Sequence, residues 1–422
     1  MRALLAVALV AITVLAPAAS SRAVPTEPAV ATDHASPNDA ARDQEYWLDD
    51  YGIGDAWSVT RGAGVTIAII DTGVARVADL GDAVVGGTDF SGLGAADGRT
   101  PVGRDLPSHG TMVASLLAGR GTGAGTGVIG SAPEASILSI SMSFGAGARD
   151  SDTQVADAVT WAVDHGADVI NLSLTRNTLE WPPSWDTAFL YAAQHDVVVV
   201  AAAGNRGNGT EEVGAPATMP GVLTVGGVDR NGVASAKASS QGITIAVAAP
   251  SEGLVGVTPS GSVVTWAGTS GATPIVAGIV ALVRAAHPEL DAANVINRLI
   301  ATARDAGPPG DDFTYGFGYV DAAAAVSADV PTVTANPMGD LADWIRVNRR
   351  AAAATPEPTD TFQPTPQAVP EDGVADPTGT LLPRLTNLQV YGLPALVLAI
   401  LAFVAGGLTV AAVRRFRPPR AR

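Results

Sequence analysis

From Trp47 to about residue 328 the chain alternates between short apolar runs and longer stretches whose apolar positions recur every three or four residues. The runs at 65–70, 136–141, 168–172, 197–202, 222–225 and 243–248 are rich in β-branched residues and predict strands. The stretches at 109–118, 152–164, 185–194, 270–286 and 292–302 predict helices. Strands that are apolar at nearly every position are buried on both faces, and the helices between them supply the covering layers. The pattern therefore predicts an α/β fold of three layers, with a central, mostly parallel sheet flanked by helices over 47–328. Active groups in such sheets gather at the carboxyl ends of the strands.

Both ends of the chain break this pattern. Residues 1–24 read as a secretory signal: Arg2, an apolar run at 3–16, Pro17, then the small residues Ala18, Ala19, Ser20 and Ser21. Residues 25–46 are a polar extension with prolines at 25, 28 and 37. Residues 329–390 read as an acidic, proline-rich linker, with nine prolines between 331 and 383 and a short helix expected over 341–349. Residues 391–413 read as one C-terminal transmembrane helix, because 392–413 hold no charge over 22 positions. The tail 414–422 carries five arginines, which by the positive-inside rule stays cytoplasmic and leaves the body of the protein outside. The expected location is thus the cell membrane, single-pass, type I.

Composition narrows the chemistry. The 422 residues are 47% hydrophobic and 16% charged, enough for a sizeable core. Formal net charge is −16, so everything before the arginine-rich tail carries −21, which repels phosphate backbones and argues against nucleic acid as a partner. There is no cysteine, which removes disulfides, a thiol nucleophile and thiolate zinc sites from consideration.

Four polar positions stand out against the apolar background. Asp71 ends a buried strand in Asp71-Thr72-Gly73, where a carboxylate needs a partner. A turn or helix cap explains it equally well, and no second such triplet exists to make an aspartic peptidase. Of five histidines, His34 lies in the extension, while His165, His195 and His287 sit at helix ends. His109 instead opens an alanine-rich helix in Ser108-His109-Gly110-Thr111, where imidazolium is disfavoured unless a carboxylate is near; by position alone it is a cap. Ser270, in Gly268-Thr269-Ser270-Gly271-Ala272-Thr273-Pro274, lies among small residues at a helix start, with Pro274 expected in the first turn. It is either an N-cap or a nucleophile whose own N–H faces developing negative charge. Asn205 follows a strand in Ala203-Gly204-Asn205, as a turn or as a side-chain amide donor.

Together these residues resemble the subtilisin family of serine peptidases, in which the chain order is Asp, His, Ser. Esterases of the Gly-x-Ser-x-Gly type place serine first in that order. The resemblance spans roughly 47–328 and implies a triad of Asp71, His109 and Ser270, with Asn205 as oxyanion donor. It also implies a substrate-lining strand within Asp168-Val169-Ile170-Asn171-Leu172-Ser173-Leu174, so Leu172, Ser173, Leu174, Ala203 and Gly204 are expected to line the cleft. The expected partner is a peptide or protein substrate. No cofactor is implied; subtilases often bind calcium, but no site can be placed.

The signal, the segment Thr60-Arg61-Gly62-Ala63-Gly64-Val65, the proline-rich spacer, the anchor and the basic tail are most similar to the mycosins, membrane-anchored subtilases of type VII secretion machinery. That likeness implies a place in a secretion complex, with an alternative in which the fold acts mainly as a structural subunit. An adhesion module on a stalk is also conceivable, but it has no use for the full motif set. The chain departs from mycosins in lacking cysteine, in its long spacer, and in Gly271, where subtilases generally carry a larger side chain such as Met or Phe. That glycine is expected to loosen the helix start and the pocket beside it. The extension 25–46 is too short for a folding-chaperone domain and is expected to wrap the catalytic domain, with no need for its removal.

Overall fold

The computed structural model describes residues 39–349 apart from 104–105 and 144–147. The expected signal, most of the extension, the expected membrane helix and the basic tail lie outside the described residues. The chain divides into a unit Met1–Ala353 and a unit Ala354–Arg422, the second wholly outside them.

The described strands are β1 (Thr66–Asp71), β2 (Val84–Asp89), β3 (Ser136–Ser141), β4 (Val169–Leu172), β5 (Val198–Ala202), β6 (Leu223–Val228), β7 (Ile245–Pro250), β8 (Leu254–Val257) and β9 (Val263–Trp266). The helices are α1 (Trp47–Asp50), α2 (Ile53–Ala56), α3 (His109–Ala118), α4 (Ser151–Asp164), α5 (Pro183–Gln194), α6 (Thr269–Ala286), α7 (Ala292–Ala301), α8 (Ala322–Ser327) and α9 (Leu341–Asn348). Strands β1 to β7 form one sheet in the order β2-β3-β1-β4-β5-β6-β7, and every pairing in it is parallel. Strands β8 and β9 make a separate antiparallel hairpin.

Alternation of side chains along β1 explains why positions 67–70 are all apolar. Ile67 and Ile69 enter one core with α3, α6, α7 and α8, whereas Ala68 and Ile70 enter the other with α4 and α5. Each fully buried isoleucine contributes about 1.5–3 kcal/mol relative to exposure. The six strands expected from the sequence are all present, with ends shifted by a few residues, and the three-layer α/β expectation holds. From β1 the chain turns to β2 and β3 on one side and later to β4 on the other. Its carboxyl end is therefore a switch point, where a crevice opens.

Among the described residues one helix, α6, is long and apolar enough to cross a membrane. It is buried on nearly all sides, with Ile275, Ile279, Val280 and Leu282 wholly inside, so it is the core helix of the domain.

Packing does not stop at residue 328. The helix expected over 341–349 is present as α9, and it lies on α5. Trp344 meets Trp181 with centroids 4.4 Å apart and planes tilted by 39°, and Arg349 Nε pairs with Asp186 at 2.7 Å. Large apolar residues are sparse here, so composition read as linker. Leu341, Trp344 and Ile345 nevertheless pack on the core beside α5, and Arg349 pairs with Asp186, which docks the segment.

Candidate active site

Asp71 is the last residue of β1. Its buried carboxylate accepts a hydrogen bond from the Thr72 N–H at 2.7 Å and faces the imidazole of His109, whose Nδ1 is 2.8 Å from both carboxylate oxygens. His109 is the first residue of α3. The close approach of α3 to the turn after β1 requires glycine at two positions. Gly73 adopts φ +91°, and a Cβ on Gly110 would lie 2.5 Å from the Gly73 carbonyl oxygen. Thr72 Oγ1 accepts from the Gly110 N–H at 2.9 Å and completes the junction.

A helix N-terminus and burial both disfavour imidazolium, and the Asp71 charge with its hydrogen bond outweighs them. Burial lowers the His109 pKa, Asp71 raises it further, and the net direction is up from the ordinary value. The remaining described histidines have the helix-end roles expected of them. His165 and His195 each place Nδ1 2.8 Å from the carbonyl of the residue four before, and His287 Nε2 lies 2.6 Å from the Val326 carbonyl.

Ser270 is not the N-cap that its sequence position suggested. Gly268 takes that place with φ +144° and has no side chain of its own to cap α6. Ser270 is the second residue of the helix, and its Oγ donates to the Ser173 carbonyl at 3.2 Å rather than to His109. Its N–H, in the first turn, has no acceptor among the described residues. Pro274 lies in the second turn, not the first. Lacking an N–H, it leaves the carbonyl of Ser270, four residues before it, without its helical donor. Ser173 Oγ donates to that carbonyl at 2.9 Å, and Asn171 Nδ2 donates to Ser173 Oγ at 3.0 Å.

Asn205 is oriented by Thr269, which sequence reasoning passed over. Asn205 Oδ1 accepts from the Thr269 N–H at 2.8 Å and from Thr269 Oγ1 at 3.1 Å, which leaves Nδ2 without a partner among the described residues. That amide lies against Gly268, where a Cβ would be 3.3 Å from it. Gly204 also engages Thr269, donating to Oγ1 at 3.1 Å and accepting from it at 3.0 Å.

Of the five expected lining residues, Leu172 and Ala203 depart from expectation. Both have side chains wholly buried in the core with α4 and α5, because even-numbered positions of β4 and odd-numbered positions from β5 through Ala203 point there. Ser173 is buried and engaged with Ser270, Gly204 is buried against Thr269, and Leu174 is partly exposed. Gly271 likewise does not loosen its surroundings. A Cβ there would overlap Leu254 Cδ1 and stand 3.2 Å from Cζ2 of Trp266, so the room is already filled from the β8–β9 hairpin. No group of three or more His, Cys, Asp or Glu side chains with metal-binding geometry occurs among the described residues.

The sequence model of the subtilase family matches residues 62–318. Subtilisin DY of Bacillus licheniformis is 38% identical over 274 residues, covering 63% of this chain and 92% of its own. Mycosin-4 of Mycobacterium tuberculosis is 34% identical over 357 residues, covering 73% of this chain and 74% of its own. Among solved structures, a chain of the periplasmic assembly from the ESX-5 inner membrane complex superposes with a TM-score of 0.59. It is 29% identical and covers 81% of this chain and 92% of its own.

Proposed function

This chain belongs to the subtilase family of serine endopeptidases, and on that premise we propose that Asp71, His109 and Ser270 are its catalytic triad and Asn205 its oxyanion donor. The observation that carries this reading is the imidazole of His109 held 2.8 Å from Asp71 at the carboxyl end of β1. A rotation about the Ser270 Cα–Cβ bond frees its hydroxyl from the Ser173 carbonyl and turns it to His109, which accepts the proton as Oγ attacks the peptide carbonyl. Loose nucleophile contacts are usual before substrate binds. Asp71 holds the tautomer and stabilises the imidazolium. The unpartnered Nδ2 of Asn205 and the Ser270 N–H receive the oxyanion. His109 then protonates the leaving amine, and water releases the acyl group.

A fluorophosphonate probe tests this directly. The full chain should be labelled at Ser270, and Ser270→Ala should not react. Labelling that survives the substitution sinks the assignment.

The raised pKa of His109 sets the pH behaviour. His109 accepts a proton only when neutral, so the acidic limb of kcat/KM should fall above the ordinary histidine value of about 6.5. Asp71→Asn should move that limb to lower pH while reducing the rate. A limb at or below the ordinary value with Asp71 intact contradicts the reading.

The enzyme is further proposed to be extracytoplasmic, held in the cell membrane by 391–413, and to work within a type VII secretion complex. Support for the anchor is the uncharged 392–413 followed by five arginines. Support for the complex is similarity to mycosin-4 and to a chain of the ESX-5 periplasmic assembly. That second likeness also favours the reading in which the fold serves mainly as a structural subunit. A secretion defect rescued fully by Ser270→Ala selects the structural role, and one left unrescued selects proteolysis.

The extension is proposed to stay in place in the active enzyme. Within its described part, Asp39, Arg42, Glu45 and Tyr46 bond to Gly127, Ile129 and Glu252, and none of these bonds reaches Asp71, His109, Asn205 or Ser270.

A further inference from the structure

Trp266 ends β9, opposite Leu254 of β8 in the hairpin register. Its indole meets the imidazole of His109 edge to face, with centroids 5.7 Å apart and planes at 79°. Two glycines make room for it. A Cβ on Gly256 would lie 2.9 Å from the indole Nε1, and a Cβ on Gly271 would lie 3.2–3.3 Å from Cζ2 and Cη2. The indole N–H is buried with no acceptor among the described residues, so hydrogen bonding does not explain where the ring sits. Packing against His109, Leu254 and the two glycines does.

We infer that Trp266 is a positioning residue for His109, taking over from the β8–β9 hairpin the room that a side chain at 271 would otherwise occupy. The inference rests on His109 as the catalytic base. Asp71 fixes the imidazole at Nδ1 and is the only charged group paired with His109 among the described residues. A single contact at one ring nitrogen still leaves the ring free to tilt about that bond. The indole on its edge removes that freedom, so Nε2 stays aimed at the place where Ser270 Oγ must arrive.

Two measurements on the full chain test this. Trp266→Ala should lower kcat by about ten- to a hundredfold with little change in KM, the scale of a misplaced catalytic group, while Trp266→Phe keeps most of the rate. Gly271→Met alone should also lower kcat, because its Cβ pushes the flexible end of Leu254 aside and the rest of its side chain takes the room of the indole. Combining Gly271→Met with Trp266→Ala should restore activity above either single variant, since one side chain then fills the room of the other. Additive losses in the pair overturn the inference.

The second measurement needs no catalysis and is made in the Ser270→Ala background. Protonated imidazole quenches a neighbouring indole, so emission should titrate with His109. Other tryptophans emit as well, Trp161 on His165 among them, so the signal is the difference between the Ser270→Ala protein and the same protein carrying Trp266→Phe. A difference against the Trp266→Phe protein that does not depend on pH overturns the placement of Trp266 on His109, whether or not Trp266→Ala folds. If that difference titrates but the wild-type chain has no peptidase activity, the fault lies with the proposed function and not with the contact.

Discussion

Ser270→Ala is expected to lower kcat by about 10⁶-fold, a scale taken from subtilisin, and His109→Ala to lower it by nearly as much. The two losses should not add. In the proposed triad the hydroxyl of Ser270 becomes a nucleophile only when His109 takes its proton, so the double variant should resemble either single one. What remains should be a residual rate of about 10³–10⁴ over water, supplied by Asn205 and by binding. Peptide hydrolysis by purified single and double variants checks this. If the double variant is slower than the singles by the product of their effects, the two side chains act independently and no relay exists. Folding is not at risk in Ser270→Ala, because Ser270 caps nothing and its lost bond to the Ser173 carbonyl is solvent-replaceable.

The second large effect is on stability. Arg42 and Glu45 are both buried and pair at 3.0 Å, and Arg42 also donates to the Gly127 carbonyl at 3.1 Å. Glu45 accepts from the Ile129 N–H at 3.0 Å. Removing one member of a buried pair strands the other charge, so Arg42→Ala should cost about 3–5 kcal/mol. Burial already pushes the Glu45 pKa well above the ordinary carboxylate range, against the opposing charge of Arg42. Without Arg42 only the Ile129 N–H still opposes that push. A carboxyl whose pKa is higher folded than unfolded binds a proton on folding, so stability falls as pH rises between the two values. The penalty should therefore be largest near neutral pH and shrink under acid conditions. Denaturant unfolding at pH 7.5 and pH 5 reads the difference. Replacing both residues by apolar ones of similar volume should recover most of the loss. An equal penalty at both pH values places the effect in lost packing instead of stranded charge. In either case kcat of the folded fraction should be unchanged, because this pair lies apart from the catalytic residues.

Much of this was legible before any coordinates, and the exceptions have physical causes. Strands β1, β3, β4 and β5 announced themselves because both faces are buried. Strand β2 did not, since Gly86 and Gly87 interrupt it and it is half exposed at the sheet edge. The β8–β9 hairpin escaped notice because β9 is short and alternates between exposed and partly buried positions. Asp71, His109, Asn205 and Ser270 were readable because they sit in runs of glycine and small residues that tight junctions demand. The charge argument asked for a carboxylate near His109 without naming it; the subtilisin resemblance implied Asp71, and the structure places that side chain 2.8 Å from the imidazole. Trp266 carried no such mark. Its meaning depends on Gly256 and Gly271, neighbours in space but not in sequence, and nothing local distinguishes it from Trp181 or Trp185. Leu172 and Ala203 misled for the opposite reason: a strand next to a cleft still turns alternate side chains into the core.

The imino nitrogen of Pro274 has a mechanical consequence. An ordinary helix start is self-sufficient, each carbonyl engaged by its own coil. Here the coil leaves one carbonyl spare, and the tip of β4, 97 residues away in sequence, is hooked onto it by the Ser173 hydroxyl. The edge that would carry a substrate and the residue that would attack it are thereby tied directly to each other. Thermal breathing of the domain can part them only by first breaking that partly buried bond.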